Sequence, residues 1–273
     1  MNEKLKIWNP HATWEEAEGT WDKGAMQCKE EKPLKTLGAL PRMPGIAETG
    51  LKWKSIKYLL TEDEGKVFFR HFFKHPIKYA LRFIRSALKN KAYIRKDDFF
   101  FYGLKSIEEF QKLLKLDNAL FVIGFSYCHK PFECPSGRFS SECIHDPENP
   151  VCRQCFIGKA VNALPPGDIR TLFIPTIHYI GEKMFQLTEE NPAKQIVFLI
   201  TACEMTLEMF GDWGNMVGAR GIGVRLDGRI CNTMKAFELS ERGVKPGLTV
   251  VLPETQKQIL SLVRNLWETD EKA

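Results

Sequence analysis

The chain is expected to fold as an α/β protein. An open, mostly parallel sheet carries helices on both faces, behind an N-terminal extension that is partly irregular and partly helical. Three observations predict this. Five short runs, "ALFVIGF" (119–125), "RTLFIP" (170–175), "QIVFLIT" (195–201), "GIGVRL" (221–226) and "LTVVLP" (248–253), are near-continuously apolar, as strands covered on both faces are. Helix-compatible stretches lie between them at 156–163, 178–188, 203–210 and 234–241, and this alternation points to an open α/β sheet. The 273 residues, 44% hydrophobic and 27% charged, suffice for a full core without covalent staples.

From the N-terminus, residues 1 to about 60 show no helical or strand period. Trp8, Trp14, Trp21 and Trp53 are scattered among Pro, Gly and charge. Large aromatics on such a segment suggest an arm lying over the main body and anchored by burial. A partner-binding arm is the alternative.

Residues 66–96 carry ten Lys or Arg and no Asp or Glu. After Pro76, Ile77, Ala80, Leu81, Ile84, Ala87 and Leu88 recur at helical spacing, with Lys78, Arg82, Arg85 and Lys89 as a second stripe about 110° round the axis. The pattern is a basic amphipathic helix. Core packing with a solvated basic face is favoured, a membrane-surface helix comes next, and nucleic-acid binding is disfavoured.

"SIEEFQKLLKL" follows, with Ser106 and Glu109 in capping-box spacing, so a helix should start there. At the far end, "ETQKQILSLVRNLW" places Ile259, Val263, Leu266 and Trp267 on one helix face. The expected division is an extension over residues 1–100 and a cysteine-rich α/β metal-binding domain over 101–273.

The start, "MNEKLKIWNPHATWEEAEG", lacks the apolar core of a signal peptide, and no run of 18 apolar residues occurs. A cytoplasmic location with reduced thiols is expected, with peripheral membrane contact through residues 66–96 as an option. The net charge of +5 says little about partners.

Eight cysteines are unevenly placed. Five crowd "SYCHKPFECPSGRFSSECIHDPENPVCRQCFIG" (126–158): Cys128, Cys134, Cys143, Cys152 and Cys155. Cys128 lies just past the first expected strand, Cys203 just past "QIVFLIT", and Cys231 shortly after "GIGVRL". Ligands of parallel sheets bind outside the carboxyl ends of strands, so these three should reach one edge. Cys134, Cys143, Cys152 and Cys155 share a long loop rich in Pro, Ser and Gly, which needs something to order it. Cys152-x-x-Cys155 is a chelating pair. Seven soft ligands exceed one tetrahedral zinc, so one or two iron–sulfur clusters, of the four-iron type, are favoured over zinc. A single cluster drawn from both groups stays open. Cys28 reads as an ordinary thiol.

Glu204 beside Cys203, and Asp227 in "LDGRICNT" before Cys231, are candidate catalytic carboxylates that could move protons or position substrate; turn and cap chemistry is the alternative. His129 and His145 are left out of the ligand set. "GARGIG" (218–223) leads into a strand instead of following one, so it is not a dinucleotide fingerprint. No P-loop, G-x-S-x-G elbow or H-E-x-x-H helix occurs.

Residues 119–252 resemble a cysteine-rich family catalogued as domain of unknown function 116. The matching pieces are "YC" at Cys128, "CP" at Cys134–Pro135, "CRQCFIG" from Cys152 to Gly158, "AC" at Cys203, and "GVRLDGRICNT" from Gly223 to Thr233. The resemblance implies iron–sulfur binding and no particular activity. Family members often carry hydrophobic amino-terminal helices, which this chain replaces by the basic segment. The 134–152 loop is also longer than the family pattern.

Two functions are therefore expected. One is an iron–sulfur protein, with redox or Lewis-acid chemistry on a small substrate or a redox partner. The other is a zinc-stabilised, non-enzymatic module that docks to a membrane surface or a protein partner.

Overall fold

A computed structural model describes residues 8, 13–35, 46, 51–63, 66–88 and 91–270. The expected α/β architecture is present. Six strands form one sheet: Ile94–Lys96 (β1), Phe99–Tyr102 (β2), Ala119–Ser126 (β3), Ile169–Ile174 (β4), Gln195–Ala202 (β5) and Arg220–Arg225 (β6), in the order β1-β2-β6-β5-β3-β4. β3 runs parallel to β4 and β5, and β5 parallel to β6; β2 and β1 extend the sheet antiparallel. Four expected strands thus appear within a residue or two of their expected ends.

The fifth does not join them. Of "LTVVLP", only Thr249–Val250 (β8) is strand, and it pairs antiparallel with Asp227–Gly228 (β7) in a separate ribbon. The place beside β6 that it would have taken is filled by β2, whose four aromatic residues are all buried. β2 comes from a turn in which Asp97 adopts a left-handed φ of 51°, a conformation that Asp tolerates in tight hairpins. The sheet therefore draws two strands across the boundary expected near residue 100.

Helices cover both faces. On one lie Trp14–Glu31 (α1), Ile107–Leu114 (α5), Phe156–Asn162 (α7) and Pro253–Asp270 (α11), around Phe110, Phe125, Ile157 and Val263. On the other lie Leu51–Thr61 (α2), Val67–Phe72 (α3), Pro76–Ala87 (α4), Ile177–Glu190 (α8), Glu204–Val217 (α9) and Met234–Glu241 (α10), around Tyr102, Phe198, Phe210 and Phe237. The short Pro150–Gln154 (α6) belongs to the cysteine loop.

The N-terminal segment is more regular than its pattern suggested. α1 begins with a complete capping box, Thr13 and Glu16 bonding each other's backbone N–H. Its surface is mostly polar, and Ala17 and Trp21 form the buried line. Three tryptophans anchor the segment as expected: Trp8 and Trp21 are buried and Trp14 is packed beside them. Trp53 on α2 stays exposed.

The path of the chain fixes where a ligand can sit. β3 leads through α7, on the first face, to β4 on one side. β5 leads through α9, on the opposite face, to β6 on the other side. The chain therefore parts in opposite directions between the neighbouring carboxyl ends of β3 and β5, the switch point at which open α/β sheets bind ligands. In register, Phe125 stands opposite Thr201, so Cys128 and Cys203 emerge side by side at that point.

Candidate metal centre

The first thiol group occupies the switch point. Cys128 sits in a 3-10 turn, Tyr127–His129, whose entry is capped by the Ser126 hydroxyl accepting from the Cys128 N–H at 3.3 Å. Cys203 is the N-cap of α9, its sulfur 3.2 Å from Thr206 Oγ1. Cys231 follows β7. All three are buried. Lys245 Nζ donates to Cys231 Sγ at 3.3 Å. Burial, then the charges of Cys231 and Cys128, push the Cys203 thiol up to about 12. Burial also raises Cys128, against Lys245 and Arg138. For Lys245 burial acts downward, but the thiolates of Cys128, Cys231 and Cys203 outweigh it, and its pKa is raised.

The second group forms in the loop between β3 and α7. Burial pushes Cys155 up to about 12 and Cys152 up to about 11, with Cys143 and Cys134 adding to both. Backbone N–H groups of Gly158 and Ile157 point at the Cys155 sulfur and oppose that rise. Burial also raises Cys143, opposed by the N–H of His145. A lysine stands here too. Lys130 is buried, and burial lowers its pKa against the pull of Cys134, Cys143 and Cys155. Its ammonium donates to the carbonyls of Gly137 at 3.4 Å, Ser140 at 2.8 Å and Glu142 at 2.6 Å, which folds the loop around it.

Local sequence sets the Cys-x-x-Cys geometry. Asn149 accepts from the N–H groups of Val151 and Cys152, Pro150 opens α6, and Cys155 ends it and caps α7. Gly158 lies so close that a Cβ there would stand 2.1 Å from the carbonyl oxygen of Cys152. The last residue of "CRQCFIG" is thus required by backbone contact.

Arg138 joins the two groups. It donates to the carbonyls of Lys130 at 3.2 Å, Cys128 at 3.3 Å, Lys245 at 2.8 Å and Gly247, and stacks on Phe132. Sequence reasoning missed Lys130, Arg138 and Lys245. The only signal for Lys130 and Arg138 was a cation within a cysteine-rich loop; Lys245, fourteen positions after Cys231, carried none.

The two candidate carboxylates are held elsewhere. Glu204 is buried and pairs with Arg225 at 2.9 Å and Arg95 at 2.6 Å. Asp227 pairs with Arg225 at 3.7 Å and accepts from the Gly228 N–H at 2.7 Å. Arg225 also faces Asp98 at 3.9 Å. The histidines take local roles: His129 is stacked on Phe156, with burial lowering its pKa to about 4, and His145 bonds the Cys143 carbonyl at 2.8 Å.

All eight cysteines are free thiols. Among the described residues no three His, Cys, Asp or Glu side chains converge closely enough to hold one metal ion. Both groups offer donors of a single kind, thiols, and a polynuclear centre spreads its thiolates around itself instead of gathering them on a point. Thiols are the donor type that iron–sulfur clusters and zinc both take. Compared with known proteins, the chain matches no family model, no curated protein and no solved structure.

Proposed function

We propose that this chain is an iron–sulfur protein with two thiolate sites, and that it resembles the cysteine-rich family named above for that reason. The observation that carries the reading is the sorting of seven thiols into two groups, each with its own lysine, Lys130 buried and Lys245 half-buried. In the loop, Cys134, Cys143, Cys152 and Cys155 complete one ligand set. At the switch point, Cys128, Cys203 and Cys231 supply three thiolates, one fewer than a four-iron cluster takes up. A four-iron cluster held by these three cysteines would keep one iron without a thiolate, which would supply Lewis-acid or redox chemistry. Lys245, which donates to Cys231 Sγ, would orient an anionic oxygen there by charge-assisted hydrogen bonding. Glu204 and Asp227, tied to Arg225, are assigned to the framework under the site and not to proton transfer.

Metal and acid-labile sulfide analysis of anaerobically prepared full-length protein tests this. The expected protein is brown and holds roughly eight irons, as two four-iron clusters require. Cys203→Ser should lose about half of that iron, and Cys143→Ser the other half. Colourless protein containing zinc overturns the reading, and about four irons per chain overturns the two-site form of it.

A further inference from the structure

α4 is amphipathic, but its apolar stripe points the unexpected way. The face turned to the body holds Tyr79, buried against Phe72 and Phe185, Phe83 against Trp213, and Ser86, which donates to Asp212 at 2.7 Å. Arg82 ties the same helix to the Val217 carbonyl at 3.2 Å. On roughly the opposite side, at about 100° per residue, Ile77 is 76% exposed, Leu81 52%, Ile84 52% and Leu88 82%. Phe73, in the turn before Pro76, is 67% exposed. Lys78 and Arg85 flank the stripe and are exposed as well. The expectation of a core-packed helix with only a solvated basic face therefore holds for one side of α4 and fails for its aliphatic side. A contiguous aliphatic stripe left in water marks an interaction surface.

We propose that α4 lies in the plane of an anionic lipid bilayer, its Ile77–Leu81–Ile84–Leu88 stripe in the acyl boundary and Lys78 and Arg85 at the headgroups. Charge selects this occupant: Lys78 and Arg85 stand exposed beside the stripe, and residues 66–96 hold ten Lys or Arg and no Asp or Glu. Lys74 and Arg95 pair with Glu189 and Glu204, and Arg82 faces the body; the rest complement an anionic surface. A second copy is a poor occupant, because face-to-face packing brings two basic flanks together. Attachment is peripheral in kind: among the described residues no helix is long and apolar enough to cross a membrane. The inference does not depend on the metal sites.

Co-sedimentation of the full-length protein with vesicles tests it. Binding is expected to vesicles of phosphatidylcholine with phosphatidylserine, to fall as salt rises, and to be weak with phosphatidylcholine alone. Leu81→Glu with Ile84→Glu should abolish it. Lys78→Gln with Arg85→Gln should weaken it about twenty-five-fold, at roughly fivefold per charge. All four positions are exposed or nearly so, and unchanged melting curves check that the variants fold. The proposal is overturned by no binding, by equal binding to both vesicle types, or by a dimer in light scattering that Leu81→Glu with Ile84→Glu disperses.

Discussion

Three cations organise seven thiols, and each does so through a different contact. Lys245 reaches a sulfur, Lys130 reaches loop carbonyls, and Arg138 reaches carbonyls from both groups. A buried ammonium is costly unless fully hydrogen-bonded; Lys130 meets that condition with three carbonyls. Lys130→Met keeps the length of the stem and removes every donor, so those carbonyls lose their partner in a loop with little apolar support. The expected cost is about 3 kcal/mol, read as a lower urea midpoint with an unchanged slope. An unchanged midpoint would mean that the loop is ordered by its thiols alone. At this scale the sequence showed the thiols, because cysteine spacing is visible along the chain. It hid the cations, because they act through space, Lys130 on nearby loop carbonyls, Arg138 on carbonyls up to 109 positions away and Lys245 on a sulfur.

Between elements, helix ends matter most. Glu241, in the last turn of α10, accepts from the N–H of Ile177 at 2.7 Å and so caps the start of α8. Burial pushes its carboxyl up to about 8, opposed by that N–H. A carboxyl whose pKa is raised on folding contributes most below its unfolded value near 4.5 and loses that contribution as pH rises through about 8. Glu241→Gln keeps an oxygen for Ile177 and cannot ionise. It should be nearly neutral at pH 5 and stabilising by on the order of 1–2 kcal/mol at pH 9, seen as a melting-temperature gain confined to alkaline buffer. Elements were legible where their pattern was strong. β3, β4, β5 and β6 and the helices between them follow from buried apolar runs. α1 was missed because only one narrow line of its surface is buried, although the Thr13–Glu16 capping box stood in the sequence. β2 was missed because "FFFY" is short, and its partner β6 lies over a hundred positions downstream.

For the whole molecule, topology decides what the thiols can become. Cys128, Cys203 and Cys231 come from three separated segments; the switch point between the parallel strands β3 and β5 sets Cys128 beside Cys203, and Cys231 reaches them from beyond β7, whereas the loop thiols need no such help. The two groups should therefore respond differently to metal removal. In the metal-free fold, burial holds Cys155 and Cys203 near 12, so both are neutral thiols at neutral pH and must release protons to bind. Acidification opposes that release, so metal affinity should fall steadily as pH is lowered. Stripping the metal leaves β3 and β5 paired along their full register, because those bonds are backbone and core. The loop loses its metal bonds and keeps Lys130 and Arg138 as its principal ties. Hydrogen exchange on loaded and stripped protein should show protection lost across residues 131–151 and kept across 119–126 and 195–202. Equal loss in the strands would mean that the metal holds the sheet together; no loss in the loop would mean that Lys130 and Arg138 suffice, and that the thiols are there for chemistry alone.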